Sequence, residues 1–194
     1  MMTLTEKQME ILNFITENAE TIKQLKNIAN TKLSGLKIKD SVTIAGITWS
    51  KFGEDENGNS LMLADESVYE MSFGDDNNWT NSAIRKKCKD IAEKLKKELG
   101  EVALVEFETD LFSHDGLRDY GKVQDEVAIL TYDLYRNNRE NIKPLDNWYW
   151  LATPDSTPSG YGSDCVQYVC SGGDVRYFWC DGVGAVRPFF ILKS

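Results

Sequence analysis

Apolar positions near the start of the chain recur with a helical spacing. Ile11, Ile15, Ile22, Leu25, Ala29 and Leu36 occupy the a and d positions of one heptad frame, which polar Asn18 and Lys32 interrupt. No Pro or Gly occurs before Gly35, and Thr3 with Glu6 has the spacing of a capping box. The pattern predicts a helix from about Leu4 to Leu33. Two arrangements suit it: a short coiled coil joining copies of the chain, or an amphipathic helix packed on its own domain.

From Ser41 the period becomes strand-like. Val42, Ile44 and Ile47-Thr48-Trp49 lead into the polar run Gly53 to Asn59 and then Leu61-Met62-Leu63, which predicts a β-hairpin. The acidic turn lacks the ligand spacing and closing Glu of a calcium loop, so a solvated turn is favoured. Ile84, Cys88, Ile91, Leu95 and Leu99 then mark one face of a helix, bracketed by Thr80/Asn81 and Gly100. Cys88 falls on the buried face. Val102 to Phe107 and Val127 to Leu130 are candidate strands, and Thr131 is placed to cap a short helix through Tyr135.

The composition breaks at Asn147. The last 48 residues hold 10 of the 21 aromatics but only 7 of the 53 charges, and no Glu. Six glycines and three prolines share that stretch, which predicts short strands joined by loops. It suits either a sheet buried on both faces or an adhesive surface, since Tyr and Trp offer large contact area at low rotamer entropy.

Charge and chemistry narrow the function classes. A chain of 194 residues with 41% apolar content can bury a core of its own as one main domain. Its net charge of −9 opposes binding to a phosphate backbone, so nucleic acid is not an expected partner. No apolar run reaches the ~18 residues of a membrane span, and residues 1–30 lack a secretory pattern, so membrane insertion is not expected. A virion or cell surface would have to be reached by another route. Cys88, Cys165, Cys170 and Cys180 contain no CxxC pair, and the single histidine, His114, removes mechanisms that need two. A surface-loop role for His114 is favoured, because no nucleophile motif accompanies it. No cofactor or metal is called for.

Two linked segments near the end carry a resemblance. Trp148-Tyr149-Trp150-Leu151-Ala152-Thr153-Pro154 and Gly184-Ala185-Val186-Arg187-Pro188-Phe189-Phe190-Ile191-Leu192 resemble the "WWLRSP … G … GVRPAL" pattern of C-type-lectin-like domains in phage and bacterial proteins. Ala152-Thr153 stands where that pattern has Arg-Ser, and Ala185 interrupts its Gly-Val. Upstream, Ile44 to Trp49 resembles the family's "fG…W.VL" strand, Trp79 to Arg85 its "W..S.LR" helix start, and Asp125 to Thr131 its "DkvfLLS".

The resemblance implies an α+β, C-type-lectin-like fold over residues 39–194, with short irregular strands and one or two packed helices, preceded by an N-terminal helix over residues 1–38. That fold is related to formylglycine-generating enzymes and to the variable proteins of diversity-generating retroelements. In those variable proteins the stretch between the two end signatures varies and binds, here about residues 147–188. The expected activity is ligand binding, in a receptor-binding or adhesin role for a phage or prophage, toward a protein or glycan on a target surface. The candidate ligand-binding residues are Tyr149, Ser159, Tyr161, Asp164, Gln167, Tyr168, Asp174, Arg176, Tyr177, Trp179 and Asp181. Copies of the chain can join through the first helix.

The remaining apolar positions of the end signatures, with Arg187 as a buried guanidinium, are expected to be scaffold. The alternative is a formylglycine-generating-type oxidase using Cys165, Cys170 and Cys180, whose surroundings do not match that catalytic motif. No EPN, QPD or WND triplet occurs, so calcium-dependent sugar binding has no sequence support.

Overall fold

A computed structural model describes residues 5–19, 33 and 35–194. Residues 1–36 form one compact unit and residues 37–194 another. Among the described residues there are three α-helices and thirteen strands, paired mainly antiparallel, a mixed α+β architecture. No helix among them is long and apolar enough to cross a membrane.

In the first unit, helix α1 spans Glu6–Glu17. Its cap is Thr5 rather than Thr3: the Thr5 hydroxyl accepts the Gln8 N–H while the Gln8 side chain accepts the Thr5 N–H. Both threonines have a Gln or Glu three residues on, so spacing alone did not separate them. Asn18 closes the helix, with its backbone N–H and its Nδ2 both donating to the Phe14 carbonyl. Met9, Ile11, Leu12, Phe14 and Ile15 of α1 are exposed. Ile22, Leu25, Ala29 and Lys32 of the expected heptad run lie outside the described residues.

The second unit is built on two sheets and a small ribbon. Strand β1 (Ser41–Ile44) turns through Ala45 and Gly46 into β2 (Ile47–Glu54). Both turn residues have positive φ, 53° and 74°, as a two-residue hairpin turn demands. β2 pairs with β3 (Ser60–Ala64) around a loop in which the Asp55 carboxylate accepts the Asn57 and Asn59 N–H groups. The predicted hairpin is therefore β2–β3, and its acidic turn is held by its own backbone.

The last strand, β13 (Pro188–Leu192), pairs with β3, with β5 (Leu104–Val105) and with β8 (Val127–Ile129). Every residue of β13 is buried, which explains its unbroken apolar run. The second sheet runs β11 (Val175–Trp179), β10 (Cys165–Val169), β9 (Tyr149–Pro154), β12 (Val183–Val186) and β4 (Tyr69–Ser72). Only its β9–β12 contact is parallel. Strands β6 (Phe107–Asp110) and β7 (Lys122–Asp125) form the ribbon.

The largest fully buried side chains of this unit include Trp49, Trp79, Trp150, Phe52, Phe73 and Phe190. Helix α2 (Ala83–Leu99) buries Ile84, Cys88, Ile91 and Leu95, the face its spacing predicts. Its cap is Ser82, not Thr80 or Asn81, because Trp79–Asn81 is used as a 3-10 turn. That turn aims Trp79 inward, where its indole N–H donates to the Asp125 carboxylate at 2.8 Å. Asp125 also accepts from Arg85 Nε at 2.7 Å and from the Thr109 hydroxyl at 2.8 Å. Three donors satisfy this buried carboxylate and tie α2 to the ribbon. Helix α3 (Tyr132–Asn138) is capped by Thr131, as its position predicts. Arg187 is buried, with Nε donating to Ala64 O at 2.7 Å and Nη1 to Lys143 O at 2.8 Å.

Candidate functional site

Among the described residues strand β11 is a sheet edge, paired on one side only, with β10. Its pairing sorts side chains onto two faces: Gln167 opposite Tyr177 and Cys165 opposite Trp179 on one, Tyr168 opposite Arg176 and Val166 opposite Phe178 on the other. Four of its five residues are exposed, among them Tyr177 at 61%, Phe178 at 43% and Trp179 at 58%. β10 beneath it is mostly buried, so the hairpin presents one stiff, well-packed strand and one free one.

Eight of the candidate residues lie at the surface: Ser159, Tyr161, Asp164, Asp174, Arg176, Tyr177, Trp179 and Asp181. They occupy β11, the turns at its two ends and the loop that follows β9. Tyr161, at 97% exposure, is held by its backbone alone, through an N–H donated to the Ser156 hydroxyl. Ser159 donates its N–H and its hydroxyl to the Asp119 carboxylate at 2.9 and 2.7 Å. Those bonds hold the Asp119 carboxyl below its usual range. Tyr168 is half-buried, its ring 4.9 Å from that of Trp148, which in turn stands 5.8 Å from Phe178.

Two expectations need correction. Tyr149 is only 2% exposed: β9 is buried on both faces, and the Tyr149 ring lies under the Arg187 guanidinium instead of facing a ligand. Gln167 is likewise 2% exposed, because it sits on the inner strand of the hairpin and donates its Nε2 to Asp155 Oδ1 at 2.6 Å. A polar residue at that point is tolerated because it is hydrogen-bonded. Two surface residues were missed, Phe178 and the exposed Val183. The signal for Phe178 was present: Val175 to Trp179 has no alternation, as a strand wet on both faces shows.

The loop between β6 and β7 reaches this surface. The His114 N–H donates to Pro154 O at 2.9 Å, and the Ser156 hydroxyl donates to Asp115 Oδ2 at 2.6 Å. Buried Asn77 secures the other side, donating Nδ2 to the carbonyls of Ser156 and Cys165 and accepting from the Tyr120 hydroxyl. The loop residue His114 thereby stands beside the hairpin, edge-on to Tyr132 at 5.2 Å between ring centroids. Between them opens a cleft of about 570 Å³ bordered by His114, Tyr132, Asp155, Gln167, Val175, Arg176 and Tyr177.

The four cysteines are free thiols. Burial pushes Cys88 and Cys165 up and Cys180 up to about 11, so these three stay protonated at neutral pH. Cys180 spends its thiol on the Asp164 carbonyl at 2.8 Å. Among the described residues no group of three or more His, Cys, Asp or Glu side chains is placed to hold a metal ion. The chain matches no known family model, no curated protein and no solved structure.

Proposed function

We propose that the protein is a ligand-binding protein with a C-type-lectin-like fold, of the kind that phages and prophages diversify through a retroelement, and that it grips a protein on a target surface. One observation carries the reading: Tyr177, Phe178 and Trp179 stand exposed in succession on an edge strand whose neighbours are buried. Aromatic side chains of that size are costly to leave in water, and they are the residue types that dominate binding hot spots. Exposed Asp174 and Asp181 flank the strand, one before it and one after, so apolar side chains with charge at their ends lie together, a composition that interfaces share.

The fold assignment draws support from the way the resembling segments converge. Trp79 and Arg85 meet Asp125 in one buried network, and Arg187 joins the end segment to the carbonyls of Ala64 and Lys143. Within the segment that would vary, about residues 147–188, the stretch from Ser159 to Val183 holds most of the exposed aromatics described in this unit. Assembly through α1 would multiply weak sites and raise avidity by about 10² to 10⁴ without a new contact.

The test is a selection of displayed cell-surface proteins against the full chain and against the Tyr161→Ala/Tyr177→Ala/Trp179→Ala variant. Enrichment with the first and none with the second supports the reading. Equal enrichment with both overturns it. The diversification part is tested by the flanking DNA, where a near-copy of the 3′ end differing at adenines should lie beside a reverse transcriptase gene; its absence would leave a plain binder.

A further inference from the structure

The cleft beside β11 holds an unmatched set of acceptors. Asp155 is half-buried, and of its two carboxylate oxygens only Oδ1 receives a hydrogen bond from a side chain among the described residues, the one from Gln167. Gln167 spends its Nε2 there and its Oε1 accepts none from them. No Lys or Arg forms an ion pair with Asp155 among the described residues, whereas Asp115 stands near enough to repel it. Burial and that repulsion push its carboxyl above the usual range, against the pull of His114 and the Gln167 bond. Arg176 borders the cleft, but the strand's alternation turns its side chain to the other face, beside Tyr168.

The walls complete the picture. Tyr132 and Tyr177 bring aromatic rings, and Val175 a branched aliphatic side chain, to a space of about 570 Å³. A group that suits this place must donate hydrogen bonds, accept none, carry positive charge and tolerate aromatic neighbours. An alkylguanidinium or alkylammonium meets all four demands, and a neutral diol would leave the carboxylate's charge uncompensated.

We propose that the His114–Asp155–Tyr177 cleft receives the cationic head of an arginine or lysine side chain presented by the protein partner. The net charge of −9 favours a basic partner and steers its approach. Asp155 supplies the counter-charge, Gln167 a second acceptor, and Tyr177 a ring wall that continues into the exposed patch of β11. This inference rests on the binding reading above and adds the chemistry of one anchor to it.

The experiment uses the full chain, isotopically labelled, with ethylguanidinium as the probe. The Gln167 side-chain amide and the His114 imidazole resonances should shift saturably in the wild type, with half-saturation at about 10 mM for so small a probe. In Asp155→Asn, which keeps the shape and the Gln167 contact, half-saturation should weaken at least tenfold, and Tyr177→Leu should weaken it less. Backbone resonances away from the cleft report that both variants remain folded. Failure of the wild type to respond, an equal response in Asp155→Asn, or a stronger response of the same resonances to methyl glucoside would each overturn the cation assignment. The two readings separate cleanly: if alanine at Tyr161 and Trp179, both outside the cleft, abolishes capture of the selected protein while Asp155→Asn leaves it intact, the patch stands and the cleft falls.

Discussion

The guanidinium of Arg187 stands 5.3 Å over the ring of Tyr149, and the two residues explain each other's burial. Arg187 lies on the link between β12 and β13, and Tyr149 opens β9, so the pair joins the two sheets. The Nε and Nη1 donors meet the carbonyls of Ala64 and Lys143, and the ring covers the cation's face. Replacing Arg187 with Met strands both carbonyls in a dry site, and each such loss costs about 1 to 3 kcal/mol. Denaturant titration of Arg187→Met should show a loss of about 3 kcal/mol; a change below about 1 kcal/mol would mean water replaces the guanidinium.

Asp125 should be the most sensitive acid in the chain. Asp125→Ala leaves the Arg85 guanidinium, the Trp79 indole N–H and the Thr109 hydroxyl without their shared acceptor. Breaking a buried pair by removing one partner costs about 3 to 5 kcal/mol. A melting temperature within a few degrees of wild type would show that the network contributes little.

The aromatic patch predicts the opposite behaviour. Alanine at Tyr161, Tyr177 and Trp179 together removes side chains that make few contacts with the rest of the fold. Surface changes of this kind stay within about 0.5 kcal/mol each, so the melting temperature should move by less than about 5 °C. A larger drop, measured calorimetrically, would place these rings in the core.

Gly184 is required for space, not for backbone freedom. A Cβ there would come within 2.3 Å of the Trp148 ring and 2.9 Å of Trp150 Nε1. Both rings are wedged by their own neighbours, so Gly184→Ala should lower stability by about 1 to 3 kcal/mol. Trp148→Ala in the same chain should restore part of that loss, and absence of any rescue would show that the strain lies elsewhere.

Two neighbouring carboxyls respond to acid in opposite directions. Burial raises the Asp115 carboxyl, but hydrogen bonds from Ser113 and Ser156 outweigh it and hold the group below its usual value. Its stabilising share is present above the unfolded value and is lost as pH falls through the lower, folded one. The Asp155 carboxyl is raised, so it penalises the fold above its folded value, and the penalty is relieved as pH falls past the unfolded value of 3.8. Asp155→Asn should therefore raise the melting temperature at pH 7 and converge on wild type below about pH 4. Asp115→Asn should lower it at pH 7. A pH-independent offset in either variant would show that charge is not the cause.

Local structure was the legible part. The Ile84 to Leu95 repeat and the Thr131 cap each depend on neighbours a few residues apart, and these are the distances over which spacing reports geometry. Tyr149 defeated that reasoning because β9 is buried on both faces, so no outward set of side chains exists to be read from a period of two. Gln167 defeated it by polarity: its burial depends on Asp155, a partner across the strand pair. The cleft was out of reach for a further reason. His114, Tyr132 and Tyr177 come from a loop, a helix and a strand far apart in the chain, and what brings the loop to the hairpin is a backbone bond from His114 to Pro154 and a clamp at Asn77 that no local pattern announces.

The free edge of β11 has a price in solution behaviour. A strand with one unpaired side and three bare aromatics is a template for pairing with another such strand, which is how folded chains begin to aggregate. Asp174 and Asp181, one just before the strand and one just after it, and Arg176 within it place charge along that edge. They act as gatekeepers. A change that enlarges the bare aromatic surface by removing one of these charges therefore also lowers the barrier to self-association.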